Sequence, residues 1–239
     1  MYLTISEREI KLAVDSSAGP GLYEYLRRQE TLGGLRVIDE KDLRLDDAYF
    51  DTADLLLWRN GGYLRIRREP RRALVTLRAS RGSPLASETV ESTRPLGELP
   101  EVIGELNRQF PSIGPLPEHG SSLGPLLAEA GLLHVVSLRN DREVLSVRPQ
   151  TPGPRFRVKL DKVTYDTWTE PLYEIELDVC DRDGVTWAAK VVDSVRSLVP
   201  GTVRVTTATK LDRGLVLREL FQVGHGDGTL DIGAANVEL

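Results

Sequence analysis

Tyr2-Leu-Thr-Ile-Ser-Glu-Arg-Glu-Ile-Lys-Leu-Ala-Val14 alternates in the manner of a β-strand. Ile10, Leu12 and Val14 share one face, and Glu7, Glu9 and Lys11 share the other. Alone, such a strand reads as one apolar face on a core and one charged face in water. The charged alternation recurs, however, at Arg65 and Arg67, at Thr76 and Arg78, at Arg157, Lys159 and Asp161, and at Glu174, Glu176 and Asp178. Like charges two residues apart repel along an open sheet, and turned inward they demand counter-charges. Acidic and basic ladders are mutually consistent if they line a space that holds divalent cations and a highly charged anion. Carboxylate oxygens suit Mg²⁺ or Mn²⁺, and guanidinium and ammonium groups suit phosphate oxygens.

The chain has 239 residues and a net charge of -5, which argues against a general nucleic-acid binder. The charge is segregated: Arg59 to Arg81 is strongly cationic, while acids gather near Glu7, Asp46 and Glu174. A single cysteine, Cys180, excludes an intrachain disulfide and fits a reducing compartment. His119, His134 and His225 are scattered, so a zinc site is not expected. No apolar run reaches membrane-spanning length, and no basic stretch precedes an apolar core at the N-terminus. A cytoplasmic protein with no membrane or nucleic-acid partner is the expectation.

The apolar spacing predicts helices over Leu22–Leu32, Leu99–Phe110, Leu123–Ala130 and Val185–Val199. Strands are expected at 46–51, 63–69, 73–79 and 87–92, with a hairpin turn around Pro70. Further strands are expected at 133–139, 143–148, 156–162 and 172–179, and Pro111 to Gly124 reads as a loop. Many strands without repeated strand–helix alternation predict a mainly β (α+β) antiparallel barrel rather than a parallel doubly wound sheet. The small, polar end of the chain reads as a tail or linker.

Glu7-x-Glu9-x-Lys11 resembles the N-terminal signature of the CYTH superfamily, the triphosphate tunnel metalloenzymes. The resemblance continues in order through Tyr49-Phe-Asp-Thr52, Leu64-Arg-Ile-Arg67, Leu160-Asp161, Glu174-Ile-Glu176 and Thr209-Lys-Leu-Asp-Arg-Gly214. It implies a closed eight-stranded antiparallel barrel or tunnel with peripheral helices, spanning 1–218, with 219–239 as a tail. It also implies hydrolysis or cyclisation of a triphosphate with Mg²⁺ or Mn²⁺. Carried over residue by residue, Glu7, Glu9, Asp161, Glu174 and Glu176 are metal ligands. Lys11, Arg65, Arg67, Arg78, Arg142 and Lys210 bind phosphates, with Glu7, Glu9, Lys11, Glu174 and Glu176 as the catalytic set.

Arg78 stands where the family usually has lysine, and Ala86 where it often has arginine before Glu88. That phosphate contact is either missing or supplied by Arg81, and Glu88 suits orienting the basic side chains as well as it suits metal. Arg157 and Lys159 are extra bases on the Asp161 strand, equally suited to a structural ion pair with Glu174 or Glu176. The mechanism expected from the resemblance uses two metals, one held mainly by Glu7 and Glu9 and one nearer Asp161, Glu174 and Glu176. The insertion from Leu96 to Gly131 resembles the larger bacterial triphosphatase branch, whose members are often fused to a CHAD domain, and points to inorganic triphosphate or polyphosphate. Thiamine triphosphatase, class IV adenylate cyclase and a non-catalytic polyphosphate-binding module are the alternatives. Tyr49, Trp58 and Tyr63 are candidates for stacking an organic group, though packing suits them better.

Overall fold

The computed structural model describes residues 8–83, 86–116, 123–149, 155–179 and 182–225. Its strands are β1 (Arg8–Val14), β2 (Thr31–Leu32), β3 (Leu35–Asp51), β4 (Tyr63–Glu69) and β5 (Arg72–Ser83). They continue with β6 (Ala86–Pro95), β7 (Leu133–Arg148), β8 (Phe156–Tyr165), β9 (Trp168–Val179) and β10 (Val203–Thr206). The helices are α1 (Gly19–Arg27), α2 (Leu56–Arg59), α3 (Leu99–Gln109), α4 (Leu123–Glu129), α5 (Arg182–Leu198) and α6 (Lys210–His225). None of the described helices is long and apolar enough to cross a membrane.

The mainly β, antiparallel expectation holds, but the closed eight-stranded barrel does not describe what is seen. The sheet has ten strands in the order β10-β1-β9-β8-β7-β3-β4-β5-β6, with β2 paired to β3. Among the described residues no pairing joins β10 to β6. The chain forms two compact units, one within Leu45–Leu138 and the other within Glu7–Arg44 and Arg139–Leu239.

In the second of these units, β9 is flanked by β1 and β8, and β1 also pairs with β10. Ile175 and Leu177 of β9, Leu12 and Val14 of β1, and Val158 and Leu160 of β8 pack with Leu22, Leu26, Val191 and Val195. Burying each such side chain contributes roughly 1.5–3 kcal/mol. This apolar face commits the alternate residues of β1, β8 and β9 to the opposite face, which is the charged one. Helix α1 starts earlier than its apolar spacing suggests, because Pro20 sits in its first turn, where its missing N–H costs nothing. It ends at Arg27, before the Gly33–Gly34 turn. Gly33 has φ +56°, and a Cβ there would lie 2.8 Å from the Val191 backbone nitrogen. Only glycine permits that turn to lie against α5.

In the other unit, β4, β5 and β6 form a meander over Leu64, Ile66, Val75 and Leu77, covered by Val102, Ile103 and Leu106 of α3. A Cβ on Gly62 would stand 2.5 Å from the carbonyl oxygen of Arg78, so glycine is required where β4 begins.

Two strands differ from expectation for physical reasons. β3 begins at Leu35 rather than residue 46, although Arg36, Asp39, Glu40, Lys41 and Asp42 are exposed. Leu35 is buried, but residues 38–44 bury no side chain, and backbone pairing rather than an apolar face holds them in the sheet. β7 runs unbroken through Asn140-Asp141, which reads as a turn but has Asn140 fully buried in mid-strand. From Val203 the chain forms β10 and then α6, which runs to His225.

Candidate functional site

The charged face of the β1–β9–β8 layer is organised by strand register. Glu9 lies opposite Asp178, Lys11 opposite Glu176, and Ala13 opposite Glu174. On the other side of β9, Lys159 faces Glu176 and Asp161 faces Glu174. Glu176 is therefore flanked by two lysines, while Glu174 and Asp161 form a like-charged pair, which is unfavourable by itself. Asp161 and Glu174 are fully buried, and Glu176 and Asp178 nearly so.

Cations from two other elements, α6 and β7, resolve this. Lys210, the first residue of α6, places Nζ 2.9 Å from Asp161, 2.5 Å from Glu174 and 2.6 Å from Glu176. Arg142 of β7 donates Nε and Nη2 to the two oxygens of Asp161 at 2.6 and 2.5 Å, and Nη2 also to Glu176 at 2.6 Å. Arg213, one turn along α6, donates to Glu174. The Tyr23 hydroxyl of α1 lies 2.9 Å from the Asp161 carbonyl and 2.6 Å from that of Glu174, tying the backbone under both acids. Lys159 reaches Glu9 at 2.8 Å, Asp178 at 2.6 Å and Glu176 at 3.7 Å.

Burial alone would raise all three central carboxyls. At Glu176 the Lys210 ammonium and Arg142 guanidinium outweigh burial and hold the carboxyl well below its ordinary range. Asp161 is lowered against burial by the same two cations. At Glu174 burial wins over Lys210 and Arg213, and the carboxyl is raised. Burial would lower Lys210, but Asp161, Glu176 and Glu174 keep it protonated well above its ordinary value.

Asp161, Glu174 and Glu176 each present an oxygen within 4.8 Å of the others, a hard donor set that fits Mg²⁺ or Mn²⁺. An ion held there would displace the Lys210 ammonium, and Arg142 and Arg213 would still hold the acids. Glu9 lies beside Lys11 at 3.7 Å and is tied to Lys159, and Glu7 lies outside the described residues.

The other unit carries the remaining expected bases. Arg65 and Arg67 alternate on β4, opposite Tyr49 and Asp47 of β3. Arg67 is engaged by Asp47, while Arg65 donates to Thr76 at 3.3 Å and lies 3.9 Å from Asp47 and 3.7 Å from Glu91. The Arg65 and Arg78 guanidiniums lie 5.6 and 5.8 Å from the centre of the Tyr63 ring, whose hydroxyl donates to Glu91 at 2.9 Å. The Nε–H groups of Arg65 and Arg78 have no hydrogen-bond partner among the described residues. Tyr49 and Tyr63 pack edge to face and are buried, and Trp58 is exposed. The side chains of Arg81 and Glu88 lie outside the described residues.

Several participants escape a sequence reading. Asp178 belongs to the alternating acids of β9, but alternation alone gives it no role, and Arg213 stands in the sequence only within the Thr209–Gly214 motif. Asp47, Glu91 and Tyr23 carry no local signal, since their partners are supplied by other strands. Asn140 lies on β7 two residues from Arg142, and its buried amide has neither nitrogen nor oxygen paired among the described residues. Arg157 is mostly exposed and pairs with Asp178 at 3.4 Å rather than with Glu174 or Glu176.

No curated protein sequence matches the chain. In fold it is similar to a Bacillus halodurans protein given the provisional name adenylate cyclase. The TM-score is 0.53 at 18% identity, covering 87% of this chain and 96% of that one. It is also similar to a Hippeastrum protein provisionally named adenylyl cyclase and described as having a dominant triphosphatase activity. That TM-score is 0.51 at 18% identity, covering 91% and 96% of the two chains. The CYTH domain family model matches residues 6–207, a span that takes in β1, the acids of β8 and β9, and the arginines of β4 and β7. This chain therefore belongs to the CYTH domain family.

Proposed function

We propose that this CYTH domain is a divalent-metal-dependent triphosphatase that hydrolyses inorganic triphosphate to pyrophosphate and phosphate. The observation that carries the reading is the buried set Asp161, Glu174 and Glu176, gathered within 4.8 Å around a lysine ammonium. Bound Mg²⁺ or Mn²⁺ supplies charge neutralisation on phosphate oxygens and a water of lowered pKa. Arg142 keeps Asp161 and Glu176 in fixed orientation, and Arg213 does so for Glu174. Lys210, with three rotatable donors on a flexible stem, turns from the carboxylates to a phosphate oxygen. Lys11 is a second ammonium on the same charged face. Glu9 and Glu7 complete the acidic ladder of β1 in this reading.

On the other unit, Arg65, Arg67 and Arg78 are proposed to bind phosphate oxygens. The unmet Nε–H groups of Arg65 and Arg78 support that role. Water adds to the terminal phosphorus, the bond to the bridging oxygen breaks, and pyrophosphate leaves. The burial of Tyr49 and Tyr63 against each other removes them as a stacking wall, which favours a substrate without an organic group. The triphosphatase activity described for the Hippeastrum protein supports hydrolysis over cyclisation.

Phosphate release from inorganic triphosphate, thiamine triphosphate and ATP, with Mg²⁺, with Mn²⁺ and with chelator, tests this. Turnover of inorganic triphosphate that chelator abolishes is expected. Formation of cyclic AMP and pyrophosphate from ATP would reassign the chain as a cyclase. Tight polyphosphate binding without turnover would make it a binding module.

A further inference from the structure

The two cationic centres of the carboxylate face differ in how much each acid depends on them. Around Lys210 the compensation is redundant. If its ammonium turns away, Arg142 still holds Asp161 and Glu176, and Arg213 still holds Glu174. Around Lys159 the reserve is weaker. Glu9 and Asp178 are directly opposed in register, and Lys159 meets them at 2.8 and 2.6 Å. Without it, Glu9 retains Lys11 at 3.7 Å, and Asp178 retains Arg157 at 3.4 Å on a side chain 59% exposed. Two opposed carboxylates would then face each other with only weak, screened partners.

We propose that Lys159 is the resident cation of the Glu9–Asp178 pair, so that among the described residues one exchangeable divalent ion is held, at Asp161, Glu174 and Glu176, and none between Glu9 and Asp178. The inference rests on the metal reading of those three acids given above. The Lys159 ammonium stands where an ion between Glu9 and Asp178 would sit. Among the described residues no second cation lies within 3 Å of either acid, whereas Arg142 and Arg213 grip the acids around Lys210. The Lys159 backbone, in mid-β8, is paired in register to Glu176 of β9. Lys159 is thus a positioning residue that fixes metal stoichiometry. Catalysis then draws its second positive charge from the protein.

Titration of the full chain with Mn²⁺ alone, following free ion by electron paramagnetic resonance, reads the stoichiometry directly. One Mn²⁺ per chain is expected for the wild type and for Lys159→Arg. Two are expected for Lys159→Met, whose neutral side chain leaves the opposed acids open. Two ions in the wild type, or one in a folded Lys159→Met, would overturn the inference and leave the triphosphatase reading standing. No bound ion in the wild type would overturn both. If Lys159→Met fails to fold by circular dichroism, Lys159→Gln carries the same comparison with a polar, neutral replacement.

Discussion

Arg67 grips Asp47 with both arms of its guanidinium, Nε and Nη2 each standing 2.7 Å from a carboxylate oxygen. The two residues are direct cross-strand partners on β3 and β4, and the Asp47 side chain is fully buried. Such a bidentate pair fixes the arginine plane, which a phosphate-binding role requires. Removing one partner of a buried pair typically costs about 3–5 kcal/mol, and the 15% exposure of Arg67 reduces that to about 1–3. Asp47→Asn should therefore lower the urea midpoint, and the double variant Asp47→Leu with Arg67→Met should recover most of the loss. A midpoint equal to wild type in Asp47→Asn would show that the pair does not hold β3 to β4.

Arg142 reaches Asp161 and Glu176 with a geometry that lysine cannot reproduce. Arg142→Lys should retain the fold and lose roughly 10²-fold in kcat, about 2.7 kcal/mol of transition-state stabilisation. Steady-state phosphate release and a thermal melt separate the two effects. Full activity in the lysine variant would reduce Arg142 to a point charge.

Acid stability follows from the directions of the carboxyl shifts. Asp161 and Glu176 are held below their ordinary values of 3.8 and 4.5, burial being outweighed by Lys210 and Arg142. Their stabilisation is complete above those values and is lost as pH falls through the depressed ones. Glu174, raised by burial, acts in the opposite sense, since it favours folding once protonated. Melting temperatures in chelator should fall steeply below about pH 4. Arg142→Met, without the guanidinium, should start lower at neutral pH and show a flatter acid limb. An acid limb as steep as the wild type's would place the linkage elsewhere.

Asn140 is fully buried with both amide atoms unpaired among the described residues. An unmet buried polar group costs roughly 1–3 kcal/mol, whereas leucine fills similar volume at no such cost. Asn140→Leu should raise the melting temperature by several degrees while weakening triphosphate binding, if the amide's free donor serves the ligand. Binding measured calorimetrically with inorganic triphosphate checks the second half. A destabilised variant would show that water or another group satisfies the amide.

Much of the fold was legible because burial leaves a periodic trace. Leu12 and Val14 of β1 and Ile175 and Leu177 of β9 alternate into the core as their spacing predicts. Val102, Ile103 and Leu106 fall on one buried face of α3 for the same reason. Residues 38–44 of β3 left no trace, because none of them is buried. Asn140 misled in the opposite direction, since an Asn-Asp pair signals a turn unless tertiary packing overrides it.

By itself the sequence determined that Glu9 and Lys11, Asp161, and Glu174 and Glu176 stand on the polar faces of their strands, because period-two alternation is a local property. It also supplied the ordered blocks that place the chain in the CYTH family. Only the tertiary structure decided which charges meet. Lys210 centres on three acids and Lys159 on Glu9 and Asp178, through register and through a helix that begins 34 residues beyond Glu176. Ion pairing depends on distances of a few ångströms between segments far apart in the chain, and alternation along one strand carries no information about those distances.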